Sequence, residues 1–172
     1  MILIKSLLTA AVLTAAFFLE ASPPHITFKD GRVDAVDLSS KSKFDPYLID
    51  VNTTLSKNLL IATGVEGRLE SITNNNYWRL GRDSMGTWNS STDFWLHSGS
   101  LLFCTEKPQT IKFSTRESNA TFQGRGTIII EATKNGGFKF IPLEGKGTIT
   151  TLKGGTKEII GGRMLLVLGK CS

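Results

Sequence analysis

The chain has 172 residues, 40% of them hydrophobic, and 20 Lys and Arg against 15 Asp and Glu give a formal net charge of +5. That length suits one domain of ordinary size with room for a core. The basic residues are scattered singly, which excludes the basic stripe that nucleic-acid binding needs and leaves a charge that keeps an exported domain soluble or favours an anionic envelope surface or acidic partner.

Residues 1–21 read as a signal peptide. Lys5 supplies a short positive start, Leu7 to Leu19 is apolar apart from Thr9 and Thr14, and Glu20, Ala21, Ser22 and Pro23-Pro24 end the run at a plausible cleavage point after Ala21. The rival reading is an uncleaved anchor, for which the run is short against the roughly 20 apolar residues of a spanning helix. Membrane attachment is expected only on that reading. Cleavage leaves the net charge unchanged, because Lys5 and Glu20 depart together.

Residues 22–58 form an N-terminal extension. Ile26 to Phe28 and Val33 to Leu38 predict a hairpin about Asp30-Gly31, a dipeptide suited to the positive φ of a tight turn. Ser39 to Lys43 reads as a polar loop. Phe44 to Val51 has no clear period and is expected to be irregular or a short helical connection.

From Leu59 to the end the pattern is that of an all-β domain: many short strands in a sandwich or solenoid-like arrangement with Gly-rich turns. Short apolar segments such as LLIATG, YWRLG, SLLFC, TIKFS, GTIIIEA and FKFIPLEG alternate with Asn and Gly punctuation. Gly124, Gly126, Gly145, Gly147, Gly154 and Gly155 read as turn residues. Ile111-Lys112-Phe113 and Phe138-Lys139-Phe140 alternate as half-buried strands do, Ile128 to Ile130 reads as interior on both faces, and Pro142 is expected to end or edge its strand.

Candidate functional residues lie in Tyr77 to Trp95, where all three tryptophans fall among Asn, Ser and Thr. Aromatic faces beside amides and hydroxyls stack on sugars or anchor a protein partner. Trp78 sits in a strand pattern and is expected in the core, whereas Trp88, Asn89, Phe94 and Trp95 are the candidate ligand or partner residues. Cys104 and Cys171 are a candidate disulfide in an oxidising compartment, against the alternative of two separate thiols. They are too few and too far apart for a zinc site even with His25 and His97, so no metal and no cofactor is expected. Asp83-Ser84 and His97-Ser98 make no recognisable catalytic motif, and an enzyme is not expected. Asn52, Asn89 and Asn119 head glycosylation-type triplets that mark exposed turns.

The order and spacing of the segments resemble the FecR family of extracytoplasmic domains. IATGVEGRLE is similar to its threonine-glycine turn and outgoing strand. NNNYWRLGRDS resembles a dG-x-x-x-x-LG-x-x-S segment, with Asn75 and Asn76 where Asp-Gly is usual. LHSGSLLF, TIKFST with ATFQGRGTIIIE, FIPLEGKGTIT and KEIIGGRMLLV resemble the later strands and turns, so the likeness covers roughly residues 59–168. It implies an all-β module outside the cytoplasm, periplasmic or extracellular, that binds another envelope protein or signal. The family's cytoplasmic anti-sigma region is not expected, since only a few residues precede the apolar segment. The alternative is a structural or carbohydrate-binding surface protein with a surface glycan as partner. Intact-mass measurement of the exported protein should give a chain beginning at Ser22; a mass that retains residues 1–21 would favour the anchor.

Overall fold

The computed structural model describes residues 22–40, 46–73 and 76–169. The signal segment, part of the expected loop and helical connection, Asn75 and Cys171 therefore lie outside the described residues. The expected all-β class is borne out. The strands are β1 (His25–Asp30), β2 (Val33–Asp37), β3 (Tyr47–Leu48), β4 (Leu59–Thr63), β5 (Arg68–Thr73), β6 (Asn76–Leu80), β7 (Met85–Ser90), β8 (Asp93–Ser98), β9 (Ser100–Ser114), β10 (Asn119–Ala132), β11 (Phe138–Thr151), β12 (Gly155–Ile160) and β13 (Leu165–Val167). They belong to one curled, mixed sheet.

The sheet runs β1-β5-β6-β9-β8-β7-β4-β2-β3, with β10 on the other side of β9, β11 on β10, and β12 and β13 on β11. β1 and β2 do not form the expected hairpin. β1 pairs with β5 and β2 with β4, so Asp30-Gly31 turns a corner between two distant parts of the sheet. Gly31, at φ 63°, fits because a Cβ there would lie 2.4 Å from the Glu66 carbonyl oxygen. The N-terminal extension is thus woven into the same sheet as the rest. Its following segment bridges the two ends of that path: Ile49 N–H donates to Val33 O at 3.4 Å, Asn52 N–H to Ile26 O at 2.8 Å, and Leu55 N–H to Pro24 O at 2.7 Å. Within this segment Tyr47–Leu48 is a short strand rather than part of a helix.

The second correction concerns the glycines. TIKFS and SLLFC are one strand of 15 residues, β9, while β10 and β11 have 14 each, so Gly124, Gly126, Gly145 and Gly147 lie inside strands and not in turns. They line up across the ladder, Gly124 opposite Gly147 and Gly126 opposite Gly145. On β9, Glu106 to Pro108 bulges at the same level, between the residues paired to Gly124 and Gly126. A side chain cannot enter here: a Cβ on Gly126 would sit 2.2 Å from Glu144 O, and one on Gly145 would sit 2.2 Å from Arg125 O. Gly126 and Gly145 also hold φ of 133° and 94°, which L-residues rarely adopt. This row is a corner at which three long strands fold over together. Pro142 does not end β11 but lies on its outer edge, in the gap between the stretches paired to β13 and β12, where its carbonyl accepts from Gly162 N–H at 3.1 Å; Leu143 beside it is bulged out of register with β10.

Folding over brings the two hairpin turns, which a straight β10 would hold apart, into contact. Thr115 Oγ1 donates to Gly136 O at 2.6 Å and Glu117 N–H to the same carbonyl at 3.0 Å. The space enclosed is filled by one aromatic core. Trp78 meets Phe103 at 4.6 Å between ring centroids, Phe94 at 5.8 Å, Phe113 at 6.2 Å and Trp88 at 6.4 Å. Phe113 reaches on to Phe140 at 5.7 Å, joining the two sides of the folded sheet. The alternation at Ile111 to Phe113 and Phe138 to Phe140 holds, with Lys112 and Lys139 turned outward. Ile128 and Ile130 are buried, but Ile129 is only half-buried, because it faces outward on a strand covered on one side.

Replacing Gly126 by Val should destabilise the domain by about 1–3 kcal/mol or more, through strain and overpacking at the corner. Gly64→Ala, where a Cβ would come no nearer than 3.7 Å to Arg32, should stay within about 0.5 kcal/mol of the parent, with both variants measured by urea titration. Trp78→Ala should cost about 3–5 kcal/mol, a large share of a domain's usual stability.

Candidate functional site

The structure divides the four candidate residues of the aromatic segment. Trp88 and Phe94 are core residues, 1% and 0% exposed, which corrects their assignment to a surface site. They pair across the β7–β8 hairpin with ring centroids 4.6 Å apart. Gly86 makes room for the Phe94 ring, which a Cβ there would meet at 2.3 Å. The neighbouring Asn89, Ser90 and Ser91 suggest a loop in sequence, yet they only turn a hairpin whose apolar residues face inward. Asn89 is exposed and donates from Nδ2 to Asp93 Oδ1 at 3.2 Å. Trp95, 40% exposed, is the one tryptophan at the surface. It stacks on His97 at 4.5 Å and 27° between planes. His97 Nε2 lies 3.2 Å from Thr87 Oγ1, and burial lowers the pKa of its imidazole.

The Ser84 hydroxyl is committed to structure. Ser84 Oγ donates to Arg82 O and accepts from Ser100 N–H, both at 2.8 Å, fastening β7 to β9. His97 reaches Thr87, not a serine or a carboxylate. Cys104 is half-buried on β9, where its sulfur accepts from Thr127 Oγ1 at 3.4 Å; its pairing with Cys171 lies outside the described residues. Among the described residues no group of His, Cys, Asp and Glu is arranged to hold a metal ion.

A site not anticipated from the sequence lies at the last edge of the sheet. β12 pairs with β11 beyond the glycine corner, over Lys146 to Thr151, and β13 pairs with it before the corner, over Phe138 to Phe140. Because β11 is folded, these two strands stand on opposite walls of a cleft of about 550 Å³. Ile149, Leu152 and Leu165 to Leu168 line it, with Lys153 and Lys157 on one side and the Glu117 to Asn119 turn at one end. Ile149 is fully buried, but Leu152 is 91% and Leu168 66% exposed. Ser118 Oγ donates to Leu168 O at 3.2 Å and holds that end in place.

The backbone makes this edge receptive. β11 is the sole sheet partner of both β12 and β13 among the described residues, so their outer N–H and C=O groups are available to another strand. Lys153 and Lys157 form no ion pair among the described residues, while Glu117 is engaged with Arg116 at 3.7 Å. The cleft therefore offers apolar walls, a cationic rim and free ladder positions. KEII and RMLLV read correctly as strands in the sequence, but their relation across a fold-over depends on the corner glycines that sequence patterning assigned to turns. No protein-family model, no curated protein and no solved structure matches the chain.

A half-buried histidine with a lowered pKa favours the folded state at high pH and loses that contribution as pH falls. The unfolded chain takes up the proton near the ordinary pKa of 6.5, whereas folded His97 resists it to lower pH. Thermal melts of His97→Gln should accordingly show a smaller loss of Tm between neutral pH and the pH at which folded His97 is protonated. An identical decline in both proteins would show that His97 titrates as an unburied group.

Proposed function

We propose that this chain is an exported, non-enzymatic binding module of the FecR-like kind, acting in the periplasm or outside the cell. It engages another envelope protein by accepting an extended segment along the free edge of β12 and β13. The observation that carries this reading is the apolar cleft of about 550 Å³ at an unpaired sheet edge. Strand addition satisfies the outer backbone groups, which gives affinity, and places alternate side chains of the guest in the cleft, which gives specificity.

The same geometry defines the guest's chemistry. Side chains that face Ile149, Leu165 and Val167 must be apolar, because they complete a core left open at that edge. Lys157 pairs with Ile149 and shares its face, and Lys153 stands at the adjoining turn, so the apolar row ends beside cations where Asp or Glu fits and basic residues are disfavoured. The signal-like start of the sequence and the FecR-like order of its segments support action outside the cytoplasm. Among the described residues, no helix is long and apolar enough to cross a membrane.

A photocrosslinking amino acid in place of Leu166, in cells that export the protein, should give one discrete protein adduct mapping to an extended segment with apolar residues at alternate positions and an acidic residue at one end of that row. The same group in place of Glu66, on the distant β4–β5 turn, should not give it. A Lys153→Glu, Lys157→Glu double variant with an unchanged melting curve should lose the adduct. Adducts shared with the Glu66 control, or labelling of lipid or glycan alone, would refute the reading.

A further inference from the structure

We propose that the outer face around Trp95 is a second binding site, distinct from the β12–β13 edge, and that it takes a neutral, extended polysaccharide. Residues paired across a sheet share a face, and the registers trace one unbroken row: Leu60 opposite Thr87, Thr87 opposite Trp95, Trp95 opposite Ser114, and Ser114 opposite Asn119. On one side of the exposed indole Thr87 is buried and bonded to His97, and on the other Ser114 and Asn119 present a hydroxyl and an amide. The next outward row, Lys112, Thr121, Thr150 and Thr156, adds hydroxyls on β10, β11 and β12, with Thr150 and Thr156 Oγ1 atoms 2.9 Å apart.

Three features make this a binding surface rather than a stray exposed aromatic. The indole is held in place before any ligand arrives, by the stack on His97, which is itself tied to Thr87. Little side-chain freedom remains to be lost on binding. Beside it lies a concavity of about 350 Å³, bounded by Trp95 and by Ser114 through Asn119. Its hydrogen-bonding groups Ser114 and Asn119 flank the β9–β10 turn and lie next to the ring, so one ligand can meet both.

The chemistry matches a sugar. A pyranose presents an apolar C–H face that packs on an indole and a rim of hydroxyls that exchange hydrogen bonds with hydroxyl and amide side chains. Successive strands are spaced about 4.8 Å apart, so the rows can follow a chain of linked rings instead of a single residue. The charges are balanced: Arg116 is paired with Glu117 at 3.7 Å, and Lys112 stands opposite Asp93 in the ladder. That balance selects a neutral chain over a polyuronate. The site shares only the Glu117 to Asn119 turn with the cleft at the β12–β13 edge.

Because Trp78 and Trp88 are buried, acrylamide quenching of tryptophan fluorescence reports on Trp95. The mature protein should be titrated with cellohexaose, xylohexaose and chitohexaose, and with an oligogalacturonate as the anionic comparison. At least one neutral oligosaccharide should shield Trp95 from acrylamide. Isothermal titration should show its affinity fall by about tenfold or more in Trp95→Ala and less in Trp95→Tyr, with melting curves unchanged. Asn119→Ala should weaken the same ligand. The proposal is overturned if no neutral oligosaccharide shields Trp95, if the oligogalacturonate alone does, or if Trp95→Ala binds within about twofold of the parent.

Discussion

The close approach of Gly126 and Gly145 at the corner of β10 and β11 governs the rest of the molecule. Backbone meets backbone there with no room for a Cβ on either residue. With Gly124, Gly147 and the bulge at Glu106 to Pro108 in register, the approach turns three long strands at one level. The turn in β9 lets one strand serve two neighbours, β6 along its first half and β8 along its second. The same turn gathers Trp78, Phe103, Phe113 and Phe140 into a single cluster and sets Gly136 against Thr115 and Glu117. Strands that ran straight would form a flat sheet with one apolar face in water, so the corner is what permits burial.

Both proposed sites follow from that corner. Its last strand pair, β12 and β13, follows β11 around the bend, and nothing further along the described chain closes the edge they leave. The interior there is lined by Ile149, Leu165 and Val167 and rimmed by lysines, an arrangement that suits a strand with an apolar inward row that ends on an acidic residue. On the outer surface, the bend places Ser114 and Asn119 beside Trp95 by pairing β9 in parallel with β8. One site is an edge with open ladder positions and the other is a face with hydroxyls about an indole.

Much of this architecture was legible in the sequence, and what was not has a definite cause. Alternation at Ile111 to Phe113 and Phe138 to Phe140 reported the buried face correctly, since period-two patterning reads burial strand by strand. Glycine patterning misled, because a glycine demanded by close backbone approach inside a strand looks the same as one demanded by a turn. That ambiguity split β9, β10 and β11 into short pieces and hid the cleft. Trp88 and Phe94 were misplaced for a related reason. Their polar neighbours belong to a tight hairpin, and the room for the Phe94 ring comes from Gly86, a contact invisible along the chain. Trp95 was correctly placed at the surface, although its pairing with Ser114 and Asn119 depends on a parallel strand contact that local pattern cannot reveal.

The fold-over is tested most directly by a distance between the two hairpin turns. Nitroxide labels on cysteines replacing Arg116 and Lys134, in a chain with Cys104 and Cys171 changed to Ser, report that distance by pulsed electron resonance. With 14 residues in β10, a straight strand would hold the turns roughly 45 Å apart. The structure places Glu117 N–H 3.0 Å from Gly136 O, so a narrow distribution at the short end of the measurable range is expected. A distribution centred near the straight-strand length would contradict the corner, and with it the cleft and the Trp95 face.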